Sequence, residues 1–149
     1  MQIPNAARRI PEHLHSAGVD LVDLCRWERA VERCGDSLAQ RYFTAEERRT
    51  AREWATDDRS AADVLGHLFG VKESVVKMAG GLPPGARLAD ISVGIPDDGW
   101  GRGPWTVRLD GPLAHRFEAE RMEVIGDCVP LVDRMALAWA AVRTSDAAS

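Results

Sequence analysis

Three residues of the 149-residue chain carry chemistry in places that packing alone does not explain. Asp20 stands between Val19 and Leu21 in an apolar, β-branched segment. Aspartate is disfavoured in strands, and a buried carboxylate needs hydrogen bonds, a cation or a metal to stay charged. Glu73 and Lys77 are four apart in a long helical pattern and, at 100° per residue, share a face with Ala62, Gly66, Phe69, Gly70, Val76 and Gly80. Gly66 and Gly70 each cost about 1 kcal/mol in a helix interior relative to alanine, so this face admits close approach by another backbone or by a ligand. One reading is a tight helix–sheet contact beside an exposed i,i+4 ion pair; the other is a site. If Asp20 and Glu73 converge, two carboxylates with open positions suit Mg2+, which keeps waters and accepts phosphate oxygens. For Asp20 alone, an edge-strand aspartate that caps nearby backbone is the competing reading. Asp23 falls on the opposite face of a regular strand and is not its partner.

The remaining candidates are sparse. His13 and His15 share a strand face if that segment is extended, but no third ligand accompanies them, so no zinc site is expected. No GxSxG, Walker A or GxGxxG pattern occurs, and Gly99-Trp-Gly-Arg-Gly103 lacks the strand-to-helix setting of a phosphate loop. Trp100 and Trp105 flank that turn, and packing is the default reading for them.

The elements that must position these residues are legible in the pattern. Residues 1–15 carry Pro4 and Pro11 and read as an irregular arm. Ala17–Leu24 reads as a strand, followed by helical spacing of Trp27, Ala30, Val31 and Cys34 with Gly35 as a stop. A short helix is expected over Ser37–Tyr42. Thr44 and Glu47 form a capping box that opens a helix through Arg48, Arg52 and Trp54, fraying at Thr56–Arg59. The longest helix runs from Ser60 to about Ala79, with Ala61, Val64, Leu65, Leu68, Val71, Val75 and Met78 on its apolar stripe, and Gly80-Gly81 ends it. Strands are expected at Asp90–Ile95 and Trp105–Leu109 around the turn Pro96–Pro104, a crossing helix at Pro112–Arg121, and strands at Glu123–Cys128 and Met135–Val142. This order indicates an α+β fold, helices packed on an antiparallel sheet, with a single domain at 16–143 and a polar tail at 144–149.

Composition bounds the function classes. With 45% hydrophobic and 28% charged residues, the chain has the makings of one folded domain and not of a disordered one. Its net charge of -4 supplies no global field for nucleic acid, and no apolar run approaches the ~20 residues of a membrane span. No secretory signal is evident at the N-terminus. Cys25, Cys34 and Cys128 are odd in number, without CxxC spacing, and read as reduced, partly buried thiols of a cytoplasmic protein.

Four segments, in order, resemble one family. Gly18-Val-Asp-Leu-Val-Asp-Leu-Cys-Arg26 is similar to the GxDxxxxxR motif of the holo-acyl-carrier-protein synthases of the 4'-phosphopantetheinyl transferase superfamily. Arg41-Tyr-Phe-Thr-Ala-Glu-Glu47 resembles their RxFTxxE segment, and Phe69-Gly-Val-Lys-Glu-Ser-Val-Val-Lys77 their FxxKExxxK helix. Gly101-Arg-Gly-Pro104 resembles their GxP turn with one extra residue. The resemblance implies a phosphopantetheinyl transferase-like fold, a homotrimer with sites between protomers, and transfer of phosphopantetheine from coenzyme A to a serine of an acyl carrier protein in fatty-acid or polyketide synthesis. Carried across, Asp20 and Glu73 hold Mg2+, Glu73 helps deprotonate the serine, and Lys77 neutralises diphosphate charge. Lys72, Gly80, Gly81 and Pro104 contact the coenzyme A substrate, and Arg26, Arg29 and Arg41 face the acidic carrier protein. Neither nucleic acid nor membrane is an expected partner.

The sequence also departs from the family. Leu68 stands where an arginine is usual, Val76 where serine is common, and Leu82 interrupts a glycine-rich GTG. The histidine of the penultimate strand is replaced near Asp127. The metal-and-base set is thus better kept than the nucleotide shell. That pattern fits a transferase with altered coenzyme A contacts, or a relative that kept the carrier-binding surface as an accessory factor or as an enzyme on carrier-bound acyl chains.

Overall fold

A computed structural model describes residues 14–97, 100–117 and 122–144. The arm before residue 14 with His13, the end of the crossing helix expected through Arg121, and the tail after 144 lie outside the described residues. Strand β1 (Leu14–Asp23) runs directly into α1 (Leu24–Cys34), followed by α2 (Asp36–Tyr42), α3 (Ala45–Glu53) and α4 (Ala61–Ala79). A 3-10 turn at Leu88–Asp90 leads to β2 (Ile91–Gly94), then β3 (Trp105–Leu109), α5 (Gly111–Arg116), β4 (Met122–Pro130) and β5 (Met135–Thr144). The five strands form one antiparallel sheet in the order β1-β5-β4-β3-β2.

Local chemistry sets the boundaries. The strand expected to reach Leu24 ends at Asp23, because the Asp23 carboxylate accepts from Arg26 N at 3.1 Å and caps α1, which starts at Leu24, two residues before the helical spacing begins at Arg26. Gly35 adopts φ 59° between α1 and α2, a left-handed conformation open to glycine at low cost. Thr44 and Glu47 close the expected capping box on α3, and Ser60 and Asp63 close a second on α4 that the sequence reading did not single out. β1 begins at Leu14, so the last two residues of the expected irregular arm are strand. The crossing helix is a single short piece, Gly111–Arg116, within the described residues.

Helix α4 packs chiefly across β1 and β5. Its stripe of Val64, Leu68, Val71 and Val75 is fully buried against a core that includes Val22, Ile91, Val93, Trp105, Cys128, Ala138 and Ala140. Along β1 the pleat alternates: Gly18 and Val22 are buried beneath α4, while Val19 and Leu21 are 50% and 59% exposed. A smaller cluster of Ile125, Trp139 and Ala141 forms a separate apolar group on β4 and β5.

The glycines on the Glu73 face serve packing. A Cβ on Gly66 would stand 2.8 Å from the Trp27 ring and 2.9 Å from Leu24, and one on Gly70 2.8 Å from the Ala138 Cβ. The missing bulk therefore lets α1 and the sheet close on α4, the first of the two readings the sequence allowed. The aromatic row above it is continuous, with Trp27 stacked on Phe69 at 4.7 Å and set edge-on to Phe43 at 5.9 Å.

Candidate active site

β1 and α4 bring three of the singled-out residues together. Asp20 lies on β1 opposite Ala138 of β5, on the side facing α4, and its Oδ1 accepts a hydrogen bond from Lys77 Nζ at 2.6 Å. The Asp20 side chain is 16% exposed and that of Lys77 54%. Glu73, one turn before Lys77, is half-buried and close enough to Asp20 to feel its charge. Burial pushes the Glu73 carboxyl above its ordinary value, the Asp20 charge pushes it further, and Lys77 partly opposes both. The Glu73 carboxylate makes no side-chain hydrogen bond to another described residue.

This arrangement has two carboxylates, one of them desolvated, with a single exposed ammonium as compensation. Among the described residues no third Asp, Glu, His or Cys joins them in a metal-ligating group. The donor set thus suits a hard divalent cation that retains waters or accepts ligand oxygens, and it does not suit zinc.

Lys72 is corrected by the structure. It is 0% exposed, and its ammonium protons are shared among Glu47 Oε1 at 2.7 Å and the carbonyl oxygens of Tyr42 at 3.0 Å, Leu88 at 3.0 Å and Ile91 at 2.5 Å. Glu47 also accepts from Thr44 N at 2.9 Å and Val93 N at 3.0 Å. Burial holds the Lys72 ammonium below its ordinary pKa despite the Glu47 charge. No phosphate reaches this group. It fastens α2, α3, β2 and the 3-10 turn to α4. A signal for it existed: Lys72 falls on the helical face of Leu65, Leu68 and Val75, inside the apolar stripe.

The other substrate candidates are separated. Gly80 ends α4 at φ 79°, with its N–H bonded to Lys77 O at 3.1 Å and that of Gly81 to Val76 O at 2.9 Å. Both amides are therefore spent on the helix cap, and the open space where their side chains would be is what they offer a ligand. Pro104 belongs to the other end of α4. It precedes the buried Trp105, whose ring lies 5.4 Å from Trp100, itself 5.1 Å from His67. The thirteen residues from His67 to Gly80 rise about 20 Å, so one protomer does not bring Pro104 to Gly80.

Arg26 and Arg29 are exposed on α1, and Arg41 on the last turn of α2, where its guanidinium stands 5.6 Å from the Tyr42 ring centroid. Arg26, Asp20 and Asp23 line one cavity of about 350 Å3 whose apolar walls include Leu21, Val22, Trp27, Leu38 and Phe69. Cys25 and Cys34 are exposed, not partly buried, and Cys128 is buried. Two of the departures have structural explanations. Leu68 is core, and Asp127 is fully buried on β4 with Oδ1 accepting from Cys128 N at 2.8 Å. Val76 is half-buried and Leu82 is exposed just past the helix cap. No helix among the described residues is long and apolar enough to cross a membrane.

The model of the 4'-phosphopantetheinyl transferase superfamily matches residues 16–120. The chain is 33% identical over 132 residues to a holo-[acyl-carrier-protein] synthase of Alkalilimnicola ehrlichii, covering 87% of this chain and 96% of that one. It is 38% identical over 106 residues to one of a Methylobacterium species, covering 68% and 70%. Among solved structures, the holo-[acyl-carrier-protein] synthase of Neisseria meningitidis superposes with a TM-score of 0.69 at 21% identity, over 88% of this chain and 99% of that one. The Bacillus anthracis synthase in complex with coenzyme A (3',5'-ADP) superposes with a TM-score of 0.65 at 20% identity, over 89% and 98%. At these identities the superpositions establish the fold.

Proposed function

The chain belongs to the 4'-phosphopantetheinyl transferase superfamily and is an enzyme of that kind, and we propose that it carries the phosphopantetheine of coenzyme A to a serine of an acyl carrier protein, with Mg2+ held by Asp20 and Glu73. The observation that carries this reading is the meeting of Asp20, Glu73 and Lys77. Two carboxylates and an exposed ammonium suit a diphosphate donor, because phosphoryl transfer is catalysed mainly by positioning and charge neutralisation. When bound, the ion supplies neutralisation at the diphosphate. Glu73, made more basic than usual by its burial and by Asp20, takes the proton of the serine hydroxyl. The serine oxygen then bonds to the phosphorus that bears the pantetheine arm, and the bond from that phosphorus to the departing 3',5'-adenosine diphosphate breaks. Lys77, exposed on the same helix face, reaches the diphosphate and stabilises its growing charge.

The carrier protein approaches over α1. Arg26, Arg29 and Arg41 give an overall acidic molecule a local basic margin, which steers an acidic partner. The apolar cavity walls beside Arg26 give that partner a contact next to Asp20. A homotrimer accounts for two further features: the exposed Val19 and Leu21 on one sheet face, and the distance between Pro104 and the Gly80-Gly81 cap, which a neighbouring protomer would bridge. The setting would be the cytoplasm, in fatty-acid or polyketide synthesis.

The test is incubation with coenzyme A, Mg2+ and an apo carrier protein, read by intact mass. Gain of one phosphopantetheine is expected; no gain across several carriers overturns the reading. A second reading, a relative that binds carrier protein without this transfer, draws on Leu68 lying in the core where the family usually carries an arginine. Calorimetry decides between them, since tight Mg2+-dependent coenzyme A binding belongs to the transferase alone.

A further inference from the structure

The shortest contact at the site joins Lys77 to Asp20 at 2.6 Å, and that carboxylate is the one assigned above to a divalent cation. Both cannot be served in full at once. An ammonium on Asp20 Oδ1 takes a lone pair of the ligand and places a positive charge where a second cation must come. The remaining carboxylate, Glu73, is half-buried and has no hydrogen-bond donor of its own among the described residues, so it exerts a demand for a cation that Lys77 meets only in part.

Lys77 is also built to leave. Its side chain is 54% exposed, it stands in the last turn of α4, and its compact charge is hydrogen-bonded to one carboxylate, with Glu73 near enough to feel it but not bonded to it. Lys72, five residues back, shows the opposite design, with four acceptors and no exposure. One lysine of this helix is a structural rivet, and the other is held by a single bond.

We infer that Lys77 is an interchangeable counter-ion: it holds Asp20 in the cation-free protein and passes to the donor's diphosphate when a divalent cation takes the carboxylates, so that cation and diphosphate bind cooperatively through this one side chain. The inference rests on the reading of Asp20 and Glu73 as a cation site. Coupling of this kind is reciprocal, so each ligand raises the affinity of the other by the same factor. An exposed ion pair shifts an equilibrium by no more than about fivefold, which bounds the part of the coupling that Lys77 transmits.

The experiment is calorimetric titration of the full chain with Mn2+ alone and again with coenzyme A present. Lys77→Gln should bind Mn2+ alone about two- to fivefold more tightly than the parent, and coenzyme A should tighten Mn2+ binding by a correspondingly smaller factor. Lys77→Arg, which keeps a cation on Asp20, should behave as the parent. A general field effect is separated by nitrogen-15 NMR of the Lys77 ammonium, whose resonance should shift on saturation with Mg2+. Unchanged Mn2+ affinity in Lys77→Gln, or an ammonium signal indifferent to Mg2+ in a protein that binds it, overturns the inference and leaves the cation site standing. Absence of Mn2+ binding by the parent, with Asp20→Asn no different, overturns both.

Discussion

Gly18 of β1 lies directly against Ser74 of α4: a Cβ at position 18 would overlap the Ser74 carbonyl oxygen and stand 2.9 Å from Met78 N. Backbone meets backbone here, two residues from Asp20 on the strand and between Glu73 and Lys77 on the helix. The close approach sets the spacing at which the Asp20 carboxylate meets the Lys77 ammonium. Gly18→Ala should therefore lose about 1–3 kcal/mol in urea unfolding through overpacking. It should also lose transfer activity beyond what the remaining folded fraction explains. A variant with parental stability and activity would mean that β1 shifts freely.

Replacing the two carboxylates should separate activity from stability. Glu73→Gln should cut the transfer rate by roughly 10²–10⁴-fold, the usual contribution of a general base. Its melting temperature should not fall, because a desolvated carboxylate is being removed. Asp20→Asn should likewise stay folded, since its ion pair with the exposed Lys77 is worth at most about 1 kcal/mol. Parallel rate and melting measurements check both.

The buried pair predicts the reverse. Lys72→Met leaves Glu47 uncompensated in the core, which costs about 3–5 kcal/mol, and Glu47→Leu should cost a similar amount. The double variant should recover part of that loss. If Lys72 were instead a phosphate ligand, Lys72→Met would melt as the parent does and lose only coenzyme A affinity.

His67 gives the fold an acid-sensitive point. The ring is 3% exposed, Nδ1 lies 2.6 Å from the Asp63 carbonyl oxygen, and Nε2 has no hydrogen-bond partner among the described residues. Asp63 faces it from the same helix, Arg59 from the segment before it and Arg134 from the β4–β5 hairpin, with Trp100 against the ring. Burial lowers its pKa below the ordinary 6.5, outweighing the pull of Asp63, and the two arginines add to the lowering. A histidine held neutral in the fold binds its proton more readily when unfolded. Stability is therefore full above about pH 6.5 and falls as pH drops below it. Melting temperatures from pH 7.5 to 5 should show that decline, and His67→Gln should flatten it.

Charge reversal on α1 should act on the partner alone. Arg26→Glu should raise the KM for an acidic carrier protein by roughly tenfold or more, through like-charge repulsion at the docking margin. Coenzyme A affinity should hold, and high salt should shrink the difference.

Much of this was legible in the chain. The capping box of Thr44 and Glu47, the Gly35 and Gly80 stops and the Glu73/Lys77 spacing are local, set by residues within four positions of one another. The misjudged details were those where a second interaction competed. Leu24 looked like the end of the strand, but the Asp23 carboxylate caps α1 and makes Leu24 its first residue. Glu47 looked fully explained by the cap it makes, which concealed its bond to Lys72, 25 residues away.

By itself, then, the sequence determined the elements, the order of the motifs and which residues share a helix face, because backbone periodicity and capping act over a single turn. Only the tertiary structure decided what each face meets. It set Asp20 against Lys77 across 57 residues, turned Lys72 inward and spent Gly66 and Gly70 on Trp27 and the sheet. Such choices depend on which distant surfaces fit together when the core is closed, and burial cost, which no local pattern encodes, separates a lysine that fastens the fold from one free to meet a ligand.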